Sequence, residues 1–392
     1  MPPQGRLLYA TSVPDTLRAF LLPYAAHYRA RGWRVDAAAA GVSSCERCVE
    51  AFDAVHDLPW TRRPSDRENL RDAPRALRAL VRREGYDIVH AHDPIATFVT
   101  RYALRGSRAR DGVRVVVTAH GFHFFAGNAW HRNLVYGSVE WLASRWMDAL
   151  VVINREDEAA VKRWRFPGRD RTLYMPGIGV DTGVYDPTAV NADDVARVRA
   201  ELGLAPEQQL LLMVAELNPG KRHRDAVAAL AAAERPGVVL ACAGVGPLGP
   251  EIERQAHALG IAQRVRLLGF RRDVPALLRA SVALILPSER EGLPRSIMEA
   301  SCLERPVIAT RIRGVGELVS PDTGVLVDVG DVAGFAAAIR RLVDDPAAAA
   351  RLGAAGPAAM RPFDLQHVLA QHDALYERLL SVRAISATSS IA

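Results

Sequence analysis

The sequence predicts an α/β protein of two doubly wound halves, each a parallel sheet with helices on both faces. Three observations carry that prediction. The chain has 392 residues, too many for one ordinary hydrophobic core. Short apolar runs alternate with helical patterns along its length, the rhythm of strand–helix–strand units. That rhythm also starts twice, once at Arg6 and again after Pro187.

In the first half, Arg6–Ala10 reads as a buried strand and Leu17–Ala30 as a helix. Gly32 ends the helix, and Arg34–Ala38 resumes as a strand. Asp87–His90 and Val113–Thr118 are the next strands; Ala149–Ile153 follows a long helical stretch through Trp141. In the second half, Leu210–Ala215, Gly237–Cys242, Val265–Leu268, Val282–Leu286 and Pro306–Ala309 read as strands, with Gly324–Val327 as a small edge strand. Ligands of such sheets bind outside the carboxyl ends of the strands. The expected active site is therefore a cleft between the two halves. The polar stretch Arg383–Ala392 reads as a flexible tail.

Composition narrows the function classes. No window approaches the apolar length of a membrane span. The N-terminus lacks a basic segment followed by an apolar core, so no secretion signal is expected and a cytoplasmic location is. Cys45 and Cys48 form one C-x-x-C, read here as two unpaired loop thiols rather than a zinc or redox pair.

Charge is uneven. Residues 1–186 hold 27 Lys+Arg against 21 Asp+Glu, so the whole excess of +6 lies in the first half. All six tryptophans lie there too: Trp33, Trp60, Trp130, Trp141, Trp146 and Trp164. A basic, Trp-rich half fits an anionic membrane surface, although Trp in cores and Arg stems over apolar surface give the same composition. No nucleic-acid module or dense basic stripe is present.

The most informative motif is Glu291-Gly-Leu-Pro-Arg-Ser-Ile-Met-Glu299. It follows the strand Val282–Leu286 and reads as a loop turning into a helix. Gly292, Leu293 and Pro294 form the turn, and Glu299 lies one to two turns into the helix. Free N–H groups and a helix dipole at such a turn suit a phosphate. Carboxylates beside a phosphate are better employed accepting bonds from hydroxyls. A diphosphate flanked by hydroxyl-rich groups describes a nucleotide sugar.

Lys221, one of two lysines, lies in Asn218-Pro-Gly-Lys221-Arg222-His-Arg224 at a helix start. Positive charge there opposes the helix dipole by up to about 1 kcal/mol, and a bound phosphate reverses that cost. Gly244-Val-Gly246-Pro-Leu-Gly249 matches G-x-G-x-x-G after a strand but lacks the acidic partner of a dinucleotide site. It reads as a tight turn near the nucleotide. In the first half, His90, His92, His120, Phe122 and His123 gather at predicted strand ends. Zinc ligation by these histidines is disfavoured, because no carboxylate or cysteine completes a set.

Together these segments resemble glycosyltransferase family 4, retaining enzymes of the GT-B fold, over nearly the whole chain and in order. Glu291 to Glu299 matches the family's E-x7-E element; Gly244 to Leu248, Gly269 to Asp273 and Met175 to Asp181 add to it. His90 to Pro94, Thr118 to Phe125 and Asn154 to Glu158 are similar to a bacterial capsular and exopolysaccharide subgroup. The resemblance implies a Rossmann-like acceptor domain over 1–185 and a Rossmann-like donor domain over 186–365. A C-terminal helix over 366–382 would pack back toward the first domain, with the tail over 383–392.

It also implies roles. Glu299 binds ribose hydroxyls and Glu291 those of the donor sugar. The Gly292–Leu293–Pro294 turn cradles the diphosphate, clamped by Lys221, with Arg222 nearby. Arg271 and Arg272 flank the uracil, and His120 reaches the transferred sugar. His90, His92, His123 and Phe122 are acceptor-side candidates. No metal or other cofactor is implied. The implied donor is a UDP-linked N-acetylhexosamine or related hexose. The implied acceptor is a polyprenyl-diphosphate-linked saccharide at the inner face of the membrane.

In one departure, Glu216 stands where many members carry a phosphate-binding arginine, and Arg222, Arg224 and Arg295 are candidates to replace it. The competing readings are a transferase with a soluble secondary-metabolite acceptor and a UDP-sugar 2-epimerase. A non-catalytic nucleotide-binding subunit and an NAD dehydrogenase fit the motifs less well.

Overall fold

The computed structural model describes residues 4–61, 63, 66–125 and 127–388. Its thirteen named strands are β1 Arg6–Ala10, β2 Arg34–Ala39, β3 Ala54–Asp57, β4 Ile88–His92, β5 Arg114–Ala119, β6 Ala149–Val152 and β7 Thr172–Tyr174, then β8 Gln209–Val214, β9 Val238–Ala243, β10 Val265–Gly269, β11 Ala283–Leu286, β12 Val307–Thr310 and β13 Gly324–Val327. They form two parallel sheets, ordered β3-β2-β1-β4-β5-β6-β7 and β10-β9-β8-β11-β12-β13. Each is doubly wound: strand order runs one way from the first strand, then reverses. The reversal points lie between β1 and β4 and between β8 and β11.

The predicted strands are present within a residue or two of their expected ends. Two edge strands, β3 and β7, were not predicted. Both are short, neither holds a buried residue, and β3 ends in His56 and Asp57, so neither has the apolar run that marks an interior strand. The predicted helix Leu17–Ala30 is divided into a π-helical segment, Leu17–Leu21, and an α-helix, Leu22–Ala30. Pro23 lies at the junction; having no N–H, it cannot bond back to the preceding turn.

The chain divides into two compact units: Met1–Ile178 with Val368–Ala392, and Gly179–His367. The last helix runs from Leu365 to Thr388, so the expected tail is helical through 388; 389–392 lie outside the described residues. In the first unit this helix sets Tyr376 against His90 and Asp373 against His27 and Arg31. Cys45 and Cys48 are joined as a disulfide, correcting the expectation of two unpaired thiols. Their Cα atoms lie 5.2 Å apart where the Glu46–Ala51 helix begins, inside the bridging range. No helix among the described residues is long and apolar enough to cross a membrane.

Candidate active site

In the second unit, the loops leaving β8 and β11 emerge side by side at the reversal point, where doubly wound sheets hold ligands. Glu289 N donates to Gly220 O at 2.9 Å and ties the loops together. Beside it Lys221 Nζ donates to Glu291 Oε1 at 2.6 Å, across a sequence separation of 70. Asn218 Oδ1 accepts from Lys221 N, and Asn218 Nδ2 donates to Glu216 Oε2 at 3.0 Å. The Glu216 carboxylate is thus directed to a neighbouring amide.

The β11 loop leads into the helix Arg295–Cys302, whose N-cap, Pro294, provides no side-chain cap. Ile297 N donates to Pro294 O at 3.2 Å, and the dipole of such a helix start favours an anion. Glu299 is 6% exposed and accepts from Arg295 Nε at 2.8 Å. It also hydrogen-bonds with Tyr185. Burial pushes its pKa up, against the pull of Arg295. Tyr185, buried on the stretch after Asp181, was not among the predicted site residues; no pattern around it marks its tie to Glu299.

Glycines shape the floor. A Cβ on Gly314, at φ +75°, would lie 1.7 Å from Gly292 O, so the Glu291–Pro294 turn rests directly on this residue. Gly314→Ala is expected to cost about 1–3 kcal/mol of stability and to weaken nucleotide binding, read by urea unfolding and calorimetry. Gly244 and Gly246 have a similar role, since Cβ atoms there would lie 1.9 Å from Ala215 O and 2.5 Å from Leu217 O. They let the β9 loop pack on the β8 loop, where Leu217 N donates to Val245 O at 2.9 Å.

The predicted arginines separate. Arg271 is held by Asp273 and Glu201, which raise its pKa. Arg272 is exposed. Arg222, in a left-handed conformation at φ 52°, donates through Nε to Asp225 Oδ2 at 2.6 Å. That carboxylate, in the first turn of the helix His223–Ala232, offsets the basic run at the helix start. Arg224 is 3.6 Å from the same carboxylate.

In the first unit, Asp93 joins the reversal point. At φ 61° it caps the helix Pro94–Leu104 through Ala96 N and accepts from Ser12 N at 2.6 Å, linking the ends of β1 and β4. His90, His92 and His120 stack beside it. His90 is buried, with Nδ1 on Tyr376 Oη at 2.5 Å and Nε2 on Thr118 Oγ1 at 2.7 Å. Both ring nitrogens of this predicted acceptor-side residue are engaged internally.

His92 Nδ1 meets His120 Nε2 at 3.0 Å, and His120 is part-exposed. Burial lowers the His90 and His92 pKa values well below the usual range and brings His120 to about 4. These rings are therefore neutral at pH 7. Phe122, also predicted on the acceptor side, is a core residue whose ring stacks 4.7 Å from Phe124. His123 lies beside Tyr136, with ring centroids 5.4 Å apart. Among the described residues, no three His, Cys, Asp or Glu side chains are grouped to hold a metal ion.

The chain is similar to known proteins in sequence and in fold. The model "Glycosyltransferase Family 4" matches residues 20–181 and "Glycosyl transferases group 1" matches 194–359. EpsD of Bacillus subtilis (strain 168), which bears a glycosyltransferase name, is 34% identical over 354 residues, 90% of this chain and 91% of its own. The UDP-Gal:alpha-D-GlcNAc-diphosphoundecaprenol alpha-1,3-galactosyltransferase of Escherichia coli is 31% identical over 277 residues, 69% of this chain and 70% of its own. In fold, the Anabaena protein Alr3699/HepE, crystallised with UDP, superposes with a TM-score of 0.79 at 22% identity, covering 95% of this chain and all of that one. The chain therefore belongs to glycosyltransferase family 4, and it is a nucleotide-sugar-dependent transferase with the GT-B fold.

Proposed function

We propose that the protein transfers a hexose, of the N-acetylhexosamine or related type, from a UDP-sugar to a hydroxyl of a lipid-linked saccharide, with retention at the anomeric carbon. The observation that carries this reading is the Lys221–Glu291 pair at the β8/β11 reversal point, together with the uncapped helix start at Pro294. A fixed cation and the positive end of a helix dipole suit the charge that develops on a departing diphosphate. The galactosyltransferase relative, named for a diphosphoundecaprenol-linked acceptor, supports the acceptor class.

In the proposed step, the bond from the anomeric carbon to the diphosphate oxygen breaks. A bond from that carbon to the acceptor oxygen forms on the same face, and the acceptor proton passes to the departing oxygen. Lys221 and the N–H groups around Leu293 hold the leaving charge. Glu291 accepts from the sugar hydroxyls, Glu299 from the ribose, and His120 contacts the transferred sugar. No carboxylate acts as a nucleophile, and no metal is assigned a part. The 2-epimerase alternative is not retained, because both matched family models and both relatives above are transferases. A soluble acceptor is the second reading, separated by comparing transfer to lipid-linked and water-soluble glycans.

Glu299→Ala tests the nucleotide assignment. Loss of a charged hydrogen-bond acceptor costs roughly 1.5–3 kcal/mol. UDP affinity should therefore fall about 10- to 100-fold by calorimetry. Unchanged affinity would sink the ribose role.

A further inference from the structure

The helix Trp130–Ala143 in the first unit turns an apolar face outward. Trp130, Leu134, Val135, Tyr136, Val139 and Leu142 are between 41% and 77% exposed. Their spacing of three and four residues places most of them on one broad outward stripe. Surface helices ordinarily bury such a stripe. Here only Gly137 and Ala143 are fully buried, Trp141 is partly buried against the core, and the sole acidic side chain of the helix, Glu140, is directed at buried Arg101.

The surroundings are basic. Residues 101–146 hold seven arginines and two acidic residues, Asp111 and Glu140. Arg132 and Arg145 are exposed on or just past the helix, and Arg105 is exposed nearby. Arg145 lies 3.9 Å over the Trp141 ring and Arg105 3.8 Å over Tyr102. An apolar stripe bordered by Arg and aromatic side chains is the pattern of a helix lying in a membrane interface.

We infer that the Trp130–Ala143 helix docks the protein onto an anionic lipid bilayer, with its apolar stripe among the acyl chains and Arg105, Arg132 and Arg145 at the phosphates. The charge favours this occupant, since the exposed charged residues of 101–146 are all arginines, which suits lipid phosphates better than an ordinary protein core. Its purpose rests on the lipid-linked acceptor proposed above, because docking would bring the enzyme to the surface that carries such a substrate. It locates in one element the membrane affinity that composition assigned to the whole N-terminal half.

The test uses the full chain and vesicles free of acceptor. The wild-type protein should co-sediment with vesicles containing phosphatidylglycerol at 0.1 M salt, and far less with phosphatidylcholine alone. Each arginine near the surface contributes roughly fivefold. The triple variant Trp130→Ser, Leu134→Ser, Val139→Ser should bind more than about 100-fold more weakly, with UDP affinity unchanged. The residues are exposed, so folding should hold, and unchanged UDP affinity checks it.

Binding of the triple variant to anionic vesicles at the wild-type level, or no binding of the wild-type protein to them, would overturn the inference. So would a wild-type dimer that the triple variant dissociates, because the stripe would then be covered by a second copy. If docking behaves as expected but no sugar reaches a lipid-linked acceptor, the docking inference stands and the acceptor reading fails. If the triple variant keeps wild-type vesicle binding and lipid-linked transfer is normal, the docking inference fails alone.

Discussion

Lys221→Ala should lower kcat by about 10²–10³-fold with saturating UDP-sugar, the loss seen when one preorganised donor to a developing oxyanion is removed. The geometry adds a reason for a large effect. Lys221 Nζ holds Glu291 at 2.6 Å, and the Glu291 side chain is 9% exposed. Without the ammonium, a largely buried carboxylate faces the diphosphate unpaired, so the variant loses an attraction and gains a repulsion. The two positions should therefore couple. Lys221→Ala with Glu291→Ala should cost less than the sum of the single changes, by roughly 0.5–3 kcal/mol. Turnover within about threefold of wild type in Lys221→Ala would remove the lysine from the leaving-group site; strict additivity would mean the ion pair does not matter in the complex.

That pair also marks what could be read from sequence. Glu291 and Glu299 were legible because a buried strand, a Gly–Leu–Pro turn and a helix fix where each carboxylate stands. Lys221 was legible as a cation in an unfavourable place. Their direct contact was not, because it depends on β8 and β11 being neighbours across the sheet reversal. Pairing of strands distant in sequence leaves no local pattern.

The internal partners of His90 and Phe122 were not legible either. Both lie on the expected ligand side in sequence, yet Tyr376, from a helix almost 300 residues away, closes over His90, and Phe124 draws Phe122 into the core. The C-x-x-C spacing was similarly compatible with free or joined thiols. The helix start at Cys45–Cys48 sets the separation that decides between them.

Glu140→Ala should destabilise the first unit by about 3–5 kcal/mol, the cost of leaving a buried charge without its partner. Arg101, on the Pro94–Leu104 helix, is 1% exposed. Its Nη1 and Nη2 donate to the two Glu140 oxygens at 2.8 and 3.0 Å, and its Nε donates to Thr97 O at 3.0 Å. The variant strands the guanidinium in the protein interior, with only one carbonyl left among these partners. The expected readout is an earlier first transition in urea, because a two-unit chain need not unfold in one step. UDP affinity, which depends on residues of the other unit, should stay near wild type under native conditions. Replacing both partners, Arg101→Met with Glu140→Leu, should recover most of the loss, since a well-packed apolar pair often equals or exceeds a buried ion pair. An unaltered transition in Glu140→Ala would show that water reaches Arg101 and that the pair does not anchor the helix. The expected result would tie the lipid-facing proposal to its mechanical base. Trp141 is the large apolar side chain this helix packs against the core, and Arg101 adds a strong polar contact that holds the helix to the unit while its outer stripe stays exposed.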